Sequence, residues 1–431
     1  MKIVAEIQEP RLQETVLVAE SEGGTRIALA RTPGYSTRAA FVGLRFGSNH
    51  VHFRNPEGQE VQVPWGSAHF LEHKLFEGRE EKVFDRFGRL GANFNGGTSF
   101  ARTSYYFVTS QHFEEATEVL LDFVQDPLIT EERVEKEKGI IEQEVRMYED
   151  DPNYRGYFLL HRALYHKHAI RISPGGPVDE VHRTTAADLQ ACFDAYYRPH
   201  NLALSLAGDF DPEQILAQVE PLLKGPNPGK AEAIFEEEPP TPAHACLEER
   251  FAVSRPHVWL GWRDPAGPGE GLAQLRHRVL SSLVLDLVFE HSSPWYEELY
   301  QQGIVDDSFG CSFSCDEDWS HAAVEMVSDD PDRFLEGIRA TVARFADAGP
   351  DPAAVERIRR AAWGGAVSSS QAPSQLASAH LASLLGDTRP FAVLDVIDSI
   401  ELDEVAQRAR EMFLPERSAA ALLLPQDRPA S

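Results

Sequence analysis

Ser67-Ala68-His69-Phe70-Leu71-Glu72-His73-Lys74-Leu75-Phe76-Glu77-Gly78 is the stretch from which the rest of this chain can be read. His69 and His73 stand four apart, which on a helix places both on one face, one turn above each other. Both imidazoles can then reach one ion. Glu72 falls between them, so its carboxylate lies beside that ion and not on the far side of the helix. Phe70, Leu71, Leu75 and Phe76 alternate with these polar positions, which predicts a half-buried helix. Neutral imidazole suits zinc, and a catalytic zinc takes three protein ligands plus an open position. Two histidines leave one ligand to be found.

A second helix offers it. Thr130 reads as an N-cap, and apolar Val134, Ile140, Ile141, Val145 and Met147 continue to Asp150-Asp151-Pro152. Most of the glutamates on this helix read as solvated face. Glu137 and Glu144 are seven apart and share a stripe, so either can supply the ligand with the other behind it. Glu142 sits about 160° around the helix from Glu144, at about 3.6 residues per turn, and faces elsewhere. His50 and His52 alternate on a strand end and read as surface positions.

Between the two helices, Asn95-Gly96-Gly97-Thr98 precedes the β segment Thr103-Ser104-Tyr105-Tyr106-Phe107-Val108. Small residues there let another backbone approach, and a peptide can pair with such an edge. A plain Gly-rich hairpin fits the same residues. Further along, Gly225-Pro226-Asn227-Pro228-Gly229 and Glu236-Glu237-Glu238-Pro239-Pro240 form a Pro/Gly/charge-rich tract. It divides the chain into domains at 1–224 and 244–431, joined by a linker at 225–243. The second half repeats the first in outline: Phe113 to Val134 matches Phe334 to Val355 at a constant offset of 221. Under that offset Glu144 falls on Gly365 and Glu137 on Ile358, so the metal chemistry belongs to the first half alone. The late run Ala419 to Leu424 answers Leu202 to Leu206.

A net charge of −27, from 68 acids against 41 bases, argues against nucleic acid or an anionic membrane as partner. No apolar run approaches the ~18 residues of a membrane span. Met1 to Glu6 shows no signal-peptide pattern, and the four scattered cysteines make no disulfide framework. A cytoplasmic location is expected.

Taken together, these residues resemble the pitrilysin/insulinase family of zinc metallopeptidases, which includes the mitochondrial processing peptidases. The resemblance spans nearly the whole chain. It is carried by the inverzincin order His69-x-x-Glu72-His73, by Asn95-Gly96-Gly97-Thr98 before Thr103-x-Tyr105, by Glu137-x6-Glu144 and by Tyr197-Arg198-Pro199-His200-Asn201. It implies His69, His73 and Glu144 as ligands of one Zn²⁺, Glu72 as catalytic base, Glu137 as a supporting carboxylate, and Asn95 and Gly96 on the strand edge that takes substrate. Position 96 is often Ala in the family, so Gly96 is a mild departure. The fold implied is α+β: two homologous domains, each an antiparallel-rich sheet with helices on one face, forming half of a clamshell. The activity implied is zinc-dependent endopeptidase action on small or unfolded peptides. The alternative is a non-catalytic scaffold or partner subunit of a processing complex. In the family, an Arg and a Tyr from the domain facing the zinc steady the substrate carbonyl. Here Tyr300 stands at the Arg position, and Asp306 or Asp307 at the Tyr position. A heterodimer with a homologous subunit that supplies the Arg/Tyr pair is therefore expected, with a homodimer as runner-up.

Overall fold

The computed structural model describes residues 1–225, 229–265 and 267–426. Strands β1 (Lys2–Glu9), β2 (Glu14–Glu20), β3 (Arg26–Arg31) and β4 (Arg38–Leu44) come first, then the short β5 (His52–Arg54) and β6 (Glu60–Gln62). Helices α1 (Ser67–Glu77) and α2 (Val83–Leu90) precede a hairpin of β7 (Asn93–Thr98) and β8 (Thr103–Thr109). There follow α3 (Phe113–Gln125), α4 (Glu131–Glu149), α5 (Pro152–Leu164), α6 (Val178–Arg183), α7 (Ala186–Tyr196), β9 (Leu202–Gly208), α8 (Pro212–Val219) and β10 (Glu232–Ala233). The second half runs β11 (Cys246–Phe251), β12 (His257–Arg263), α9 (Gly271–Phe289), α10 (Pro294–Gln301), β13 (Gly310–Asp316) and β14 (Trp319–Val327). It closes with α11 (Pro331–Ala348), α12 (Pro352–Ser368), α13 (Pro373–Leu385), α14 (Ala392–Ser399), α15 (Leu402–Met412) and β15 (Ser418–Pro425).

Local chemistry explains where these helices start. Asp151-Pro152, Asp211-Pro212 and Asp330-Pro331 each put a capping carboxylate before a proline at the first helical position. The Asp side chains accept from the backbone N–H groups of Tyr154, Glu213 and Arg333, donors left over at the helix starts. Thr185 and Asp188 form a reciprocal capping box on α7.

The fold is α+β. The first sheet has the order β1-β2-β3-β9-β4-β8-β7, and the second β11-β15-β12-β14-β13. In each, a late strand enters between two earlier ones: β9 is parallel to β3 and antiparallel to β4, and β15 is parallel to β11 and antiparallel to β12. Every residue of β9 is buried, as expected of a central strand with both faces covered. Strands β7 and β13 end their sheets at equivalent places.

The compact units interleave along the chain. One comprises residues 1–146, 172–235 and 367–391, the other 147–171, 236–366 and 392–431. The contiguous spans 1–224 and 244–431 read from the sequence therefore differ from the packing units. The reason is the third helix of each repeat. α5 lies on β11, β12 and β15, while α13, its equivalent at the offset of 221, lies on β3, β4 and β9. Each sheet thus has an apolar face covered by a helix from the other repeat. Each unit has its own core, with Phe46, Phe70, Phe87 and Phe107 in the first and Trp262, Phe289 and Phe334 in the second. Within the expected linker 225–243, residues 226–228 lie outside the described residues, and Glu232–Ala233 pairs with β5 as a strand of the first unit. No described helix is long and apolar enough to cross a membrane.

Candidate metal centre and active site

Helix α1 begins at Gly66, whose φ of +88° and tight packing exclude a side chain: an added Cβ would lie 2.4 Å from the carbonyl oxygen of Gly175. From there the 3.6-residue repeat sends Phe70, Leu71 and Leu75 into the core and leaves His69 and His73 half-buried, with ring centroids 4.7 Å apart. On α4, Val134, Ile141 and Val145 are buried. That orientation turns Glu137 and Glu144 toward α1.

The two helices bring His69, His73 and Glu144 together, with one donor atom from each within 4.8 Å of the others. His69 Nε2 is 3.7 Å from Glu144 Oε1, and His73 Nε2 is 3.3 Å from Glu144 Oε2. Glu137 takes the other ring nitrogen: His73 Nδ1 lies 3.2 Å from Glu137 Oε1. Of the two carboxylates left open by the spacing on α4, the later meets both histidines and the earlier braces one of them. Glu142 points away and accepts from His182 at 2.8 Å and from Arg146 at 2.9 Å.

The charges are strongly coupled. Burial alone would strip the second proton from His73, but hydrogen bonds to Glu137 and Glu144 outweigh it and lift its pKa to about 9. His69, then His73, hold Glu144 well below the usual carboxylate range against its own burial. His73, with Lys74, holds Glu137 low. The protein by itself therefore places an imidazolium between two carboxylates. A cation at the His69/His73/Glu144 focus would replace the proton on His73 Nε2. His69 Nδ1 is buried and finds no hydrogen-bond partner among the described residues, so this ring is placed by packing. Two imidazoles and one carboxylate, with carboxylates in excess around them, are a donor set that fits zinc.

Glu72 is 7% exposed, and its Oε2 accepts from Thr98 Oγ1 at 2.6 Å. Lys74, only 1% exposed, donates to the carbonyl of Arg133 at 2.9 Å and to Glu137 Oε2 at 3.2 Å, and pairs with Glu77 at 2.5 Å. Neither Thr98 nor Lys74 was singled out from the sequence. Lys74 had one local signal, a cation inside an otherwise apolar helix face. Thr98 had none beyond its motif, because its partner lies 26 residues away.

Strand β7 is the open end of its sheet. Asn95 and Gly97 are exposed, while Gly96 and Thr98 are half-buried. The Gly96 N–H donates to its neighbour's Asn95 Oδ1 at 2.9 Å, so the side chain caps a donor that the ladder with β8 does not use. A Cβ on Gly96 would lie 2.8 Å from the Phe76 ring, which accounts for glycine at this position, whereas one on Gly97 would meet nothing within 4 Å.

Comparison with known proteins follows the same lines. The pattern described as Insulinase (Peptidase family M16) matches residues 59–177, and that described as Peptidase M16 inactive domain matches residues 183–362. The uncharacterized zinc protease YmfH of Bacillus subtilis is 31% identical over 437 residues, covering 98% of this chain and 100% of that protein. A crystal structure of an M16-like peptidase from Alicyclobacillus acidocaldarius superposes with a TM-score of 0.92 at 32% identity, covering 98% of this chain and 100% of that one. The periplasmic protease PqqL of Escherichia coli shares the fold with a TM-score of 0.70 to 0.72 across its solved forms; in the full-length form, at 16% identity, the match takes in 98% of this chain but 48% of PqqL. With both halves matched in order and relatives aligned end to end, the chain belongs to the pitrilysin/insulinase family, peptidase family M16.

Proposed function

We propose that this chain is a zinc metalloendopeptidase and the catalytic subunit of a heterodimer. The observation that carries the reading is the convergence of His69, His73 and Glu144 within 4.8 Å, with Glu72 on the same helix as both histidines. In this reading His69, His73 and Glu144 hold one zinc ion per chain. When bound, zinc supplies a water acidic near neutral pH and polarises a carbonyl. Glu72 accepts the water's proton and delivers it to the leaving amine. Glu137, held by Lys74, keeps His73 in register through Nδ1. The substrate lies as an added strand along β7 near Asn95 and Gly96, where backbone pairing gives affinity with little side-chain selectivity. Small or unfolded peptides suit such an edge.

The heterodimer rests on two observations. The chain spans about half of PqqL, so its relatives include proteins of double length. Tyr300 is 49% exposed where the family carries Arg, and Asp306, which accepts from Ser308, or Asp307 stands where Tyr would serve. A carboxylate would oppose an oxyanion, so the Arg/Tyr pair comes from a homologous subunit, the two making the halves of a clamshell. The same gap supports a second reading, a scaffold subunit without turnover. A cytoplasmic site of action is proposed with either.

Metal analysis and a peptide-library digest decide between them. Zinc-loaded chain, mixed with its partner, should cleave peptides, and Glu72→Gln should retain zinc and lose turnover. A zinc-loaded complex with no cleavage would leave the scaffold reading, whereas a Glu72→Gln variant with unchanged turnover would remove Glu72 as the base.

A further inference from the structure

We infer that Thr98 is the positioning residue of the base, pinning one oxygen of Glu72 so that the other takes the proton; this rests on the peptidase reading above. Each threonine hydroxyl has one proton to donate. Thr103, paired with Thr98 across the β7–β8 hairpin, commits its proton to the Phe46 carbonyl at 2.8 Å. The two hydroxyls approach at 3.5 Å. The Thr98 proton is therefore directed at Glu72 Oε2, at a distance typical of a charge-assisted bond.

Among the described residues nothing else restrains that carboxylate by hydrogen bonding. Among the described residues Thr98 is its one hydrogen-bond donor. Behind it, Tyr105 and Tyr197 bond to each other at 2.9 Å. Burial keeps both phenols protonated, so this wall is neutral and closed. Glu72 Oε1 makes no hydrogen bond among the described residues. A carboxylate's terminal torsion is broad and two-fold. Without Thr98 the two oxygens exchange places freely; with it, Oε1 is the oxygen left to take the proton.

The location of Thr98 adds a consequence. It ends the edge strand proposed to receive substrate, so the strand that sets the peptide's register also sets the base. Binding and base alignment share one rigid element.

Thr98→Val keeps the shape and removes the donor; Thr98→Ser keeps the donor. Both would be assayed as zinc-loaded chain with its partner, on a fluorogenic peptide, with zinc content and melting midpoint as controls. Thr98→Val should lower kcat about 10- to 100-fold, with KM within about two-fold and zinc content unchanged, since misplacing a reacting group by about 1 Å costs up to ~10². Thr98→Ser should stay within a few-fold of wild type. The inference is overturned by wild-type kcat in Thr98→Val, by equal losses in both variants, or by a rise in KM at constant kcat. A wild-type complex that cleaves nothing overturns the peptidase reading and this inference with it, whereas an active wild type with an unaffected Thr98→Val overturns this inference alone.

Discussion

Glu142 and Glu144 are two residues apart on one helix, yet only one meets the histidines, because a step of two turns a side chain to the far face. The structure has Glu142 bound to His182 and Arg146 and Glu144 between His69 and His73. Glu144→Gln should therefore lose zinc on dialysis against a chelator, while Glu142→Gln should retain a full equivalent. Full zinc in Glu144→Gln would reject it as a ligand. Glu137→Gln is an intermediate case: it keeps the ligand set but frees His73 Nδ1. A supporting carboxylate of this kind is typically worth 10- to 100-fold in metal affinity, and a competition titration would read it. The bare spacing on α4 could not rank Glu137 against Glu144, since both share a stripe. The family resemblance points to the later position, and Glu144 lies 3.7 Å from His69 Nε2 and 3.3 Å from His73 Nε2.

At the scale of elements, two features have measurable consequences. The first is β7, where Gly96 backs onto Phe76 and Gly97 faces open space. Gly97→Ala should leave KM within about two-fold. Gly96→Val must displace the Phe76 ring and so distort the edge, and it should raise KM about tenfold with zinc content unchanged. Equal behaviour of the two variants would mean that the peptide lies elsewhere. The second is α5, which is tied to its sheet by a buried neutral chain. His161 Nδ1 donates to the Ile170 carbonyl at 2.9 Å, which leaves its Nε2 to accept from His321 Nε2 at 3.2 Å. Tyr165 lies 3.1 Å from His321 Nδ1. Burial pushes the pKa of His161 well below its ordinary value and that of His321 down to about 4. Because both folded values are depressed, the folded state binds fewer protons than the unfolded chain below about pH 6.5. The stability these groups contribute is complete above that pH and is lost as pH falls toward 4. The slope is about 1.4 kcal/mol per pH unit for each histidine. Chemical unfolding at pH 7.5 and 5.0 should show wild type losing more stability on acidification than His161→Leu/His321→Leu. An identical loss in the double variant would sink this account.

For the whole molecule, the proposed partner subunit makes the sharpest prediction. Alone, the chain should bind zinc and cleave peptides feebly. Adding a homologous subunit that carries the pair should form a one-to-one complex and raise the rate by about 10²–10³, the usual worth of oxyanion donors. Light scattering and a peptide assay on the same mixture would read both. A homodimer that already cleaves at full rate would exclude the need for such a partner. The large negative charge, −27, would then act on which peptides approach, not on the chemical step.

What the sequence determined by itself is local. A His-x-x-Glu-His run must place its imidazoles one turn apart wherever it forms a helix, because the 3.6-residue period is a property of the backbone. The same holds for the Asp-Pro helix starts, for the run at β9 and for the repeat at an offset of 221. Tertiary structure alone decided the contacts that cross the chain. Lys74 reaches Glu137 across 63 residues, Thr98 reaches Glu72 across 26, and α5 and α13 each settle on the sheet of the other repeat. Such pairs carry no periodicity to read. A threonine in a Gly-rich hairpin and a lysine on a helix are ordinary residues until packing removes water from around them, and only then does one hydroxyl or one ammonium become the partner that a carboxylate cannot do without.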